Sequence, residues 1–227
     1  MSTSMHFDRF AGDYKQVLDQ SLAVSGQDSS YFAEYKARYL RRLLSPDFSG
    51  KVLDFGCGVG LLSGFLKKQL PAIQLDGFDV SQDSIRKVEP ILTAQGTFTC
   101  DWSQLARDYQ LIVIANVMHH IPPQQRKDVI QELANRLKPG GSLAIFEHNP
   151  ANPVTRWVVE HCPFDDDAIL LPPAETRGYV NDAQLSLMKC DYIVFLPHFL
   201  AWLRWIEPWL FWLPMGAQYV MVAEKND

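Results

Sequence analysis

The chain has 227 residues, of which 47% are hydrophobic, and its formal net charge is −5. This length suits one α/β domain with a full core, and the apolar fraction excludes a disordered chain. An acidic balance without clustered Lys and Arg predicts that nucleic acid is not a partner. The beginning of the sequence lacks the apolar core of a signal peptide, so we expect a cytoplasmic location.

The four cysteines are far apart in the sequence, and no two of them form a C-x-x-C pair. This spacing argues against both a zinc site and a disulfide framework, and we expect no bound metal. The cysteines are Cys57, Cys100, Cys162 and Cys190.

Residues 6–44 predict two helices, because aromatic and aliphatic side chains recur there at helical spacing. A loop at 25–30 separates the two helices. Asp28 to Ser30 supply capping side chains for the second helix. The basic residues of that helix, including Lys36 and Arg38, are most simply a solvated face.

An apolar strand, Val52 to Phe55, runs into a glycine turn and then a helix over 61–70. Gly56, Gly58 and Gly60 alternate in this turn, where a Cβ would fill space that a ligand can use. Asp54 ends the strand, where a carboxylate can hold the loop and face a cationic amino group. The G-x-G-x-G spacing only partly fits a dinucleotide fingerprint, so a nicotinamide-dependent oxidoreductase remains an alternative.

The ten residues 51–60 closely resemble motif I of the class I S-adenosylmethionine-dependent methyltransferases. The resemblance has specific motifs over residues 50–150 and covers the remainder only in outline. It implies that S-adenosylmethionine is the cofactor. It also implies the first group of cofactor-binding residues: Asp54, Gly56, Cys57, Gly58 and Gly60.

The second and third predicted strands, 73–78 and 97–100, also end in acids. Asp79 and Val80 follow the second, about twenty residues after the glycine turn, where an acid accepts hydrogen bonds from ribose hydroxyls. Asp79 would bind the ribose of NAD equally well. A purely structural alternative is that Asp79 caps the following helix, but Ser81 is better suited to that role. Asp101 and Trp102 follow the third strand. The resemblance implies that these two contact adenine, with a plain surface turn as the alternative.

The fourth strand, Leu111 to Ala115, is a continuous apolar run, as expected for a strand covered on both faces. Asn116 follows it, and the resemblance implies that this segment lines the methyl-transfer pocket. The segment lacks the [D/N]-P-P-[Y/F] pattern of methyltransferases that modify base or amide nitrogens. His119 and His120 are candidate general bases, with a packed structural role as the alternative.

A helix over 122–137 and a fifth strand, 143–146, lead to Glu147 and His148. Ligands in an open α/β sheet bind outside the carboxyl ends of the strands, so His148 is our first choice for acid–base work. The phrase at residues 7–14 is similar to the amino-terminal helix that covers the active site in many small-molecule methyltransferases. Tyr14 is therefore a candidate cofactor or acceptor contact, unless it only packs the helix, and Lys36 or Arg38 is placed to meet the methionine carboxylate.

Residues 151–189 are predicted to carry helices at 154–160 and 183–188, with Arg156 and Arg177 as candidates for an acceptor pocket. Three consecutive aspartates, 165–167, suit Mg²⁺, but a solvated loop is favoured. The Trp-rich segment 198–213 is too short to cross a bilayer. We expect it to pack against the domain or a second copy of the chain, giving a homodimer, with peripheral membrane contact as the alternative.

These features predict one domain over 1–227, with a helical cap (1–48), a cofactor-binding core (50–150) and an acceptor-side segment with closing strands (151–227). The resemblance implies a Rossmann-like, doubly wound α/β fold of three layers. Its seven strands run in the order 3-2-1-4-5-7-6, with the last antiparallel. It also implies in-line methyl transfer to an O, N or C atom, and we expect a small-molecule acceptor. The alternatives are the oxidoreductase and a non-catalytic adenosylmethionine-binding module.

Overall fold

A computed structural model describes Asp19 and residues 26–226, without the side chain of Phe164. Seven strands form one sheet in the order β3-β2-β1-β4-β5-β7-β6, as predicted. The strands are β1 Lys51–Phe55, β2 Gln74–Phe78, β3 Phe98–Thr99, β4 Tyr109–Ala115, β5 Leu137–His148, β6 Leu185–Ile193 and β7 Gln218–Lys225.

The sheet is parallel from β3 to β5, and its last strand is antiparallel to both neighbours. In the middle of the sheet Leu53 of β1 pairs with Ile112 of β4, and Ile112 in turn pairs with Leu143 of β5. β7 enters antiparallel between β5 and β6. The parallel strands therefore end together at one edge of the sheet, where the predicted ligand residues follow them.

Helices cover both faces of the sheet and give the predicted three layers. Alternation along β1 sends Val52 to one face and Leu53 to the other, and each belongs to a separate hydrophobic core. Helices α1 and α2 cover the first face, and α5 and α7 cover the second. The α-helices are α1 Ser29–Leu43, α2 Leu61–Gln69, α3 Gln82–Ile85, α4 Pro90–Thr93, α5 Pro123–Arg136, α6 Pro153–Glu160 and α7 Pro173–Asp182.

The predicted helix at 183–188 is wrong, because these residues enter β6. Helix α7 precedes them and ends at Asp182, and Gln184 then takes a left-handed conformation with φ of 58° that turns the chain into the strand. Leu185 is buried, Ser186 is exposed and Leu187 is half-buried, which is the period of a strand. Helix α3 ends at Ile85, and α4 is a separate short helix that begins at Pro90.

The Trp-rich segment forms a 3₁₀ helix, His198–Trp209, between β6 and β7. Hydrogen bonds hold the segment to the end of β6, because the buried Glu207 carboxylate accepts from the backbone N–H groups of Phe195 and Leu196. Its outer aromatic rings face solvent, with Trp202 72% exposed and Trp205 65% exposed, rather than packing on the domain. Among the described residues, no helix has the length and apolar character needed to span a bilayer.

Candidate active site

A cavity of about 440 Å³ opens at the carboxyl ends of β1, β2, β4 and β5. The glycine turn after β1 forms its floor, α1 forms one wall, and the segment around Asp165 forms another. This is the position in which open α/β sheets bind ligands. The described part of the chain thus brings the loops with the predicted site residues around one space.

The glycine turn adopts backbone conformations that side chains disfavour. Gly56, Gly58 and Gly60 have φ values of 77°, 54° and 81°. A Cβ on Gly56 would lie 2.2 Å from Cγ2 of Val117, so a larger residue fits neither the backbone nor the space. The Gly56 and Cys57 N–H groups donate to the Phe78 carbonyl at 2.7 and 2.9 Å, which ties the turn to β2.

Asp54 holds the turn from beneath. Its buried carboxylate accepts a 2.6 Å hydrogen bond from the Ser63 hydroxyl on α2. Burial raises the pKa of Asp54 to about 6, while the bond from Ser63 acts in the opposite direction. Asp54 therefore couples the strand end to the helix and presents charge to the cavity that it lines.

Asp79 lies across the turn from Asp54 and lines the same cavity. One of its oxygens, Oδ2, accepts from the Gly58 N–H and the other from the Ser81 N–H, both at 2.8 Å. Ser81 caps α3 by accepting from the Ser84 N–H at 3.1 Å, as predicted. Both oxygens of Asp79 therefore take part in the backbone network that joins the glycine turn to the end of β2, at the edge of the cavity.

Trp102 lies at the far end of the cavity and packs against the stacked rings of Phe55 and Phe78. Arg136 lies over its ring, 5.0 Å from the centroid. Asp101 is exposed and turns away from the lining residues: its carboxylate accepts from the Ser103 N–H, which lowers its pKa. The Trp102 ring is therefore present where the adenine base is expected. The carboxylate of Asp101 instead caps the short turn that follows it, by accepting from the Ser103 N–H.

Helix α1 brings a buried lysine into the cavity. Lys36 is 7% exposed and lines the pocket, whereas Arg38 is exposed and pairs with Glu34. Burial lowers the pKa of Lys36 to about 8, although the charges of Glu147 and Asp54 partly oppose this. Of the two cations proposed for a methionine carboxylate, only Lys36 reaches the site.

Asn116 adopts a strained conformation at the end of β4, with φ of 59°. Its Nδ2 lies 2.8 Å from Nε2 of His148, and its Oδ1 is buried without a hydrogen-bond partner among the described residues. Non-glycine residues with positive φ and orphaned polar atoms concentrate at functional sites. Asn116 thus offers an unsatisfied acceptor to whatever enters the cavity that it lines.

A cluster of histidines and carboxylates forms the wall opposite Lys36. His119 Nδ1 lies 2.6 Å from Oε2 of the fully buried Glu147, and Glu147 Oε1 accepts from the Met118 N–H at 2.7 Å. On the other side, His119 Nε2 and His120 Nε2 each lie 3.4 Å from the same oxygen, Oδ1 of Asp165. Glu147 therefore orients His119, which points its second nitrogen towards Asp165.

The cluster shifts each pKa in a direction set by burial and by its neighbours. Burial lowers the pKa of His119, but Glu147 and Asp165 outweigh this and raise it to about 9. Burial together with the charge of His119 lowers the pKa of His120 and of His148 to about 4 each. Burial raises the pKa of Asp165, but the contact with His119 and the charges of His148, His119 and His120 together outweigh burial and lower that pKa to about 2. His148 is thus a neutral imidazole at physiological pH.

Most of the predicted site residues line the cavity together; those that do are Asp54, Gly56, Cys57, Gly58, Asp79, Val80, Trp102, Asn116, His119, His120 and His148. Gly60 caps α2 instead, beneath Val88, and Asp101 lies outside the lining. Arg156 and Arg177 are also absent from the lining. Tyr14 lies outside the described residues.

Several residues that line the cavity were not identified from the sequence, among them Ser29, Cys162, Asp165 and Gln218. The Ser29 hydroxyl and the Gln218 Oε1 are buried and lack hydrogen-bond partners within the described chain. The three aspartates at 165–167 were a weak signal for Asp165, because their spacing is equally typical of a solvated loop. No local pattern marks the other three, which reach the cavity only through the packing of distant segments.

A family model described as a methyltransferase domain matches residues 28–223. The chain belongs to this methyltransferase family. It is an S-adenosylmethionine-dependent methyltransferase, so the predicted enzyme class and cofactor are confirmed and the oxidoreductase alternative is wrong.

Solved structures share the fold of this methyltransferase at low sequence identity. Magnesium protoporphyrin IX methyltransferase from Synechocystis PCC 6803, with bound SAH, superposes with a TM-score of 0.68 at 16% identity, covering 98% of this chain and 97% of that one. A SAM-dependent methyltransferase from Archaeoglobus fulgidus gives a TM-score of 0.65 at 18% identity, covering 85% and 94%. These matches confirm the architecture of the fold.

Curated relatives are named ribosomal RNA small subunit methyltransferase C. The protein from Vibrio vulnificus is 41% identical over 73 residues, which is 30% of this chain and 22% of the relative. The protein from Escherichia coli is 30% identical over 147 residues, which is 61% of this chain and 43% of the relative. The chain thus spans less than half the length of these relatives.

The expectation of a small-molecule acceptor without nucleic-acid contact is contradicted by these relatives, which are named for ribosomal RNA. The net charge of −5 was the reason for excluding nucleic acid as a partner. Net charge sums the whole surface, whereas binding to nucleic acid depends on the local distribution of charge. An acidic total therefore did not justify excluding RNA.

Proposed function

We propose that this methyltransferase transfers a methyl group, by in-line displacement, to an O, N or C nucleophile at the carboxyl ends of β4 and β5. The observation that carries the proposal is the left-handed glycine turn, which opens into the cavity between Asp54 and Asp79. In this division of the chain, residues 50–150 supply the cofactor site and residues 151–227 supply the acceptor side.

The side chains that line the cavity fit the polar groups of S-adenosylmethionine. Asp79 presents a carboxylate for the ribose hydroxyls at the end of β2, and Trp102 offers an apolar ring to the adenine. Lys36 carries the positive charge that a carboxylate needs, and Asp54 carries a negative charge for an ammonium group. Asn116 adds a buried acceptor without a partner among the described residues. The remaining proposed contacts are Gly56, Cys57, Gly58 and Val80; Gly60 and Asp101, which lie outside the lining, are not among them.

S-adenosylmethionine supplies an activated methyl group on a sulfonium, so the protein mainly has to orient the acceptor and exclude water. The cavity is bounded on this side by His148, His120 and Asp165. Where the acceptor must lose a proton, we propose His148 as the general base that takes it. His148 is neutral at physiological pH and lies next to Asn116. His119 is less suited, since carboxylates face both of its ring nitrogens.

Incubation with methyl-labelled S-adenosylmethionine tests the proposal and identifies the acceptor. Small ribosomal subunits are the first substrate to try, because the curated relatives are named for that RNA. Parallel reactions contain free ribosomal RNA and a cell extract, each with and without ribonuclease. We expect label to move to an acceptor in at least one reaction with the wild type and in none with Asp79→Ala. Binding of S-adenosylmethionine without transfer to any fraction would contradict the proposal.

A further inference from the structure

His119, His120 and Asp165 converge on one point at the wall of the cavity. Their ligand atoms all lie within 4.8 Å of one another, and all three side chains line the cavity. Two imidazoles and one carboxylate form a donor set that divalent transition metals prefer. The sequence predicted no bound metal because the cysteines are dispersed, but cysteine spacing does not test a site made of two histidines and a carboxylate.

We propose that His119 Nε2, His120 Nε2 and Asp165 bind a divalent transition-metal ion, with Zn²⁺ as the probe, and that its open coordination position faces the cavity.

The distances favour metal ligation over a closed hydrogen-bond network. Both Nε2 atoms lie 3.4 Å from Oδ1 of Asp165, whereas charge-assisted N–H···O bonds are about 2.7–2.9 Å long. Ligands bound tetrahedrally at roughly 2.0–2.1 Å are separated from each other by about 3.3–3.4 Å. The two separations to Asp165 therefore match the edges of a tetrahedral zinc site.

The surroundings of the ligands supply the second layer that metal sites need. Glu147 Oε2 lies 2.6 Å from His119 Nδ1, which fixes the ring with Nε2 towards Asp165. Asp167 Oδ1 lies farther from its ring, 3.4 Å from His120 Nδ1, so a carboxylate is near His120 but holds it less firmly than Glu147 holds His119. A carboxylate behind a ligating imidazole orients it and raises its basicity. Glu147 is itself held by the backbone N–H groups of Val117 and Met118.

The backbone also explains how the three ligands meet. His119 and His120 are consecutive residues on a 3₁₀ turn, Met118–His120, that follows β4. Their rings lie 4.1 Å apart, centroid to centroid. Asp165 ends a second short turn, Pro163–Asp165, and the Ile169 N–H bonds the His119 carbonyl to keep the two segments together.

An open metal position in this place implies an acceptor with an oxygen or nitrogen donor, whose proton the ion would make more acidic. This consequence rests on the proposed methyl transfer, whereas metal binding itself does not. The two are separated by measuring metal binding in the absence of S-adenosylmethionine.

The test is a calorimetric titration of the full chain, without a purification tag and stripped by a chelator, with Zn²⁺ alone. We expect one Zn²⁺ per wild-type chain. Asp165→Asn and His120→Gln should each lose at least tenfold in affinity, since even outer partners of metal ligands contribute roughly 10–100-fold. Asp166→Asn and His161→Gln are matched controls on exposed neighbours and should bind as the wild type does.

Visible absorption of Co²⁺ added in place of Zn²⁺ reports the geometry, and circular dichroism checks that each variant is folded. Wild-type protein that fails to bind Zn²⁺ would overturn the proposal. So would a folded Asp165→Asn variant that binds Zn²⁺ as tightly as Asp166→Asn does.

Discussion

Replacement of Lys36 by Met should stabilise the protein and weaken its hold on the cofactor. Lys36 is a buried cation whose pKa is lowered from 10.5 to about 8, chiefly by burial. Methionine keeps most of the side-chain volume and removes the charge. The wild type thus buries a charge that lowers its folding stability, as expected at a site where stability is sacrificed for ligand binding.

The size of the effect follows from the pKa. The fall to about 8 corresponds to about 3 kcal/mol of unfavourable folding free energy at neutral pH. Lys36→Met should therefore gain up to about 3 kcal/mol, which at roughly 2–4 °C per kcal/mol raises Tm by up to about 10 °C. Loss of a charged hydrogen-bond donor to the methionine carboxylate should cost about 1.5–3 kcal/mol, or about 10–150-fold in affinity.

The pH dependence has a definite sign. Below pH 8 the folded and unfolded chains both carry the proton, so the cost is fully present. Between pH 8 and 10.5 the unfolded chain binds the proton more strongly, and wild-type stability should gain from this group as pH rises. Affinity for the cofactor should fall as pH rises through about 8, because the ammonium loses its charge.

Thermal unfolding and calorimetric titration with S-adenosylhomocysteine, from pH 7 to 10, measure both effects. In Lys36→Met, neither the rise in stability nor the fall in cofactor affinity that Lys36 causes above pH 8 should be seen. Arg38→Met is the control, since Arg38 is exposed on the same helix. A Lys36→Met protein that is less stable than the wild type and binds with unchanged affinity would refute the reasoning.

Three further substitutions address the turn, the ribose site and the proton. Gly56→Ala should cost about 2–4 kcal/mol in urea unfolding, because it adds left-handed strain and a clash with Val117; Val117→Ala in the same chain should recover the clash portion. Asp79→Asn should weaken S-adenosylhomocysteine binding at least tenfold by calorimetry, whereas Asp83→Asn, an exposed acid on α3, should not. His148→Gln should lower kcat by about 10²-fold or more at unchanged cofactor affinity, measured with the acceptor once it is identified.

Each of these expectations has a contrary result. Equal stability of Gly56→Ala and wild type would mean that the turn has room for a Cβ. Unaltered binding by Asp79→Asn would remove the ribose assignment. Normal turnover by a folded His148→Gln variant would leave that histidine as scaffold.

The parallel strands were predictable because their sequences carry strong signals, whereas their order in the sheet came from the resemblance to the methyltransferase family. β4 is a continuous apolar run covered on both faces, and β1 runs directly into the glycine turn. The carboxyl-terminal elements were harder to predict from the sequence, because β6 lies at the edge of the sheet and mixes exposed polar residues with its leucines. Helix α7 contains Gly178, which weakens the helical pattern that would have identified it.

The cofactor half of the site was predictable for the same reason, since Asp54, Gly56 and Asp79 follow strand ends directly. The other half depends on contacts between segments far apart in sequence. Lys36 reaches the cavity from α1, and Asp165 reaches it from a loop after α6. Only tertiary packing places them there, so their roles could not be separated from those of solvated residues by sequence alone.

A crystal structure of the protein with S-adenosylhomocysteine tests the central claim most directly. The claim predicts the nucleoside over the glycine turn at Gly56 and Gly58, with its ribose hydroxyls on Asp79 and its carboxylate at Lys36. An occupied site elsewhere on the chain, or a cavity that stays empty at saturating ligand, would contradict the claim.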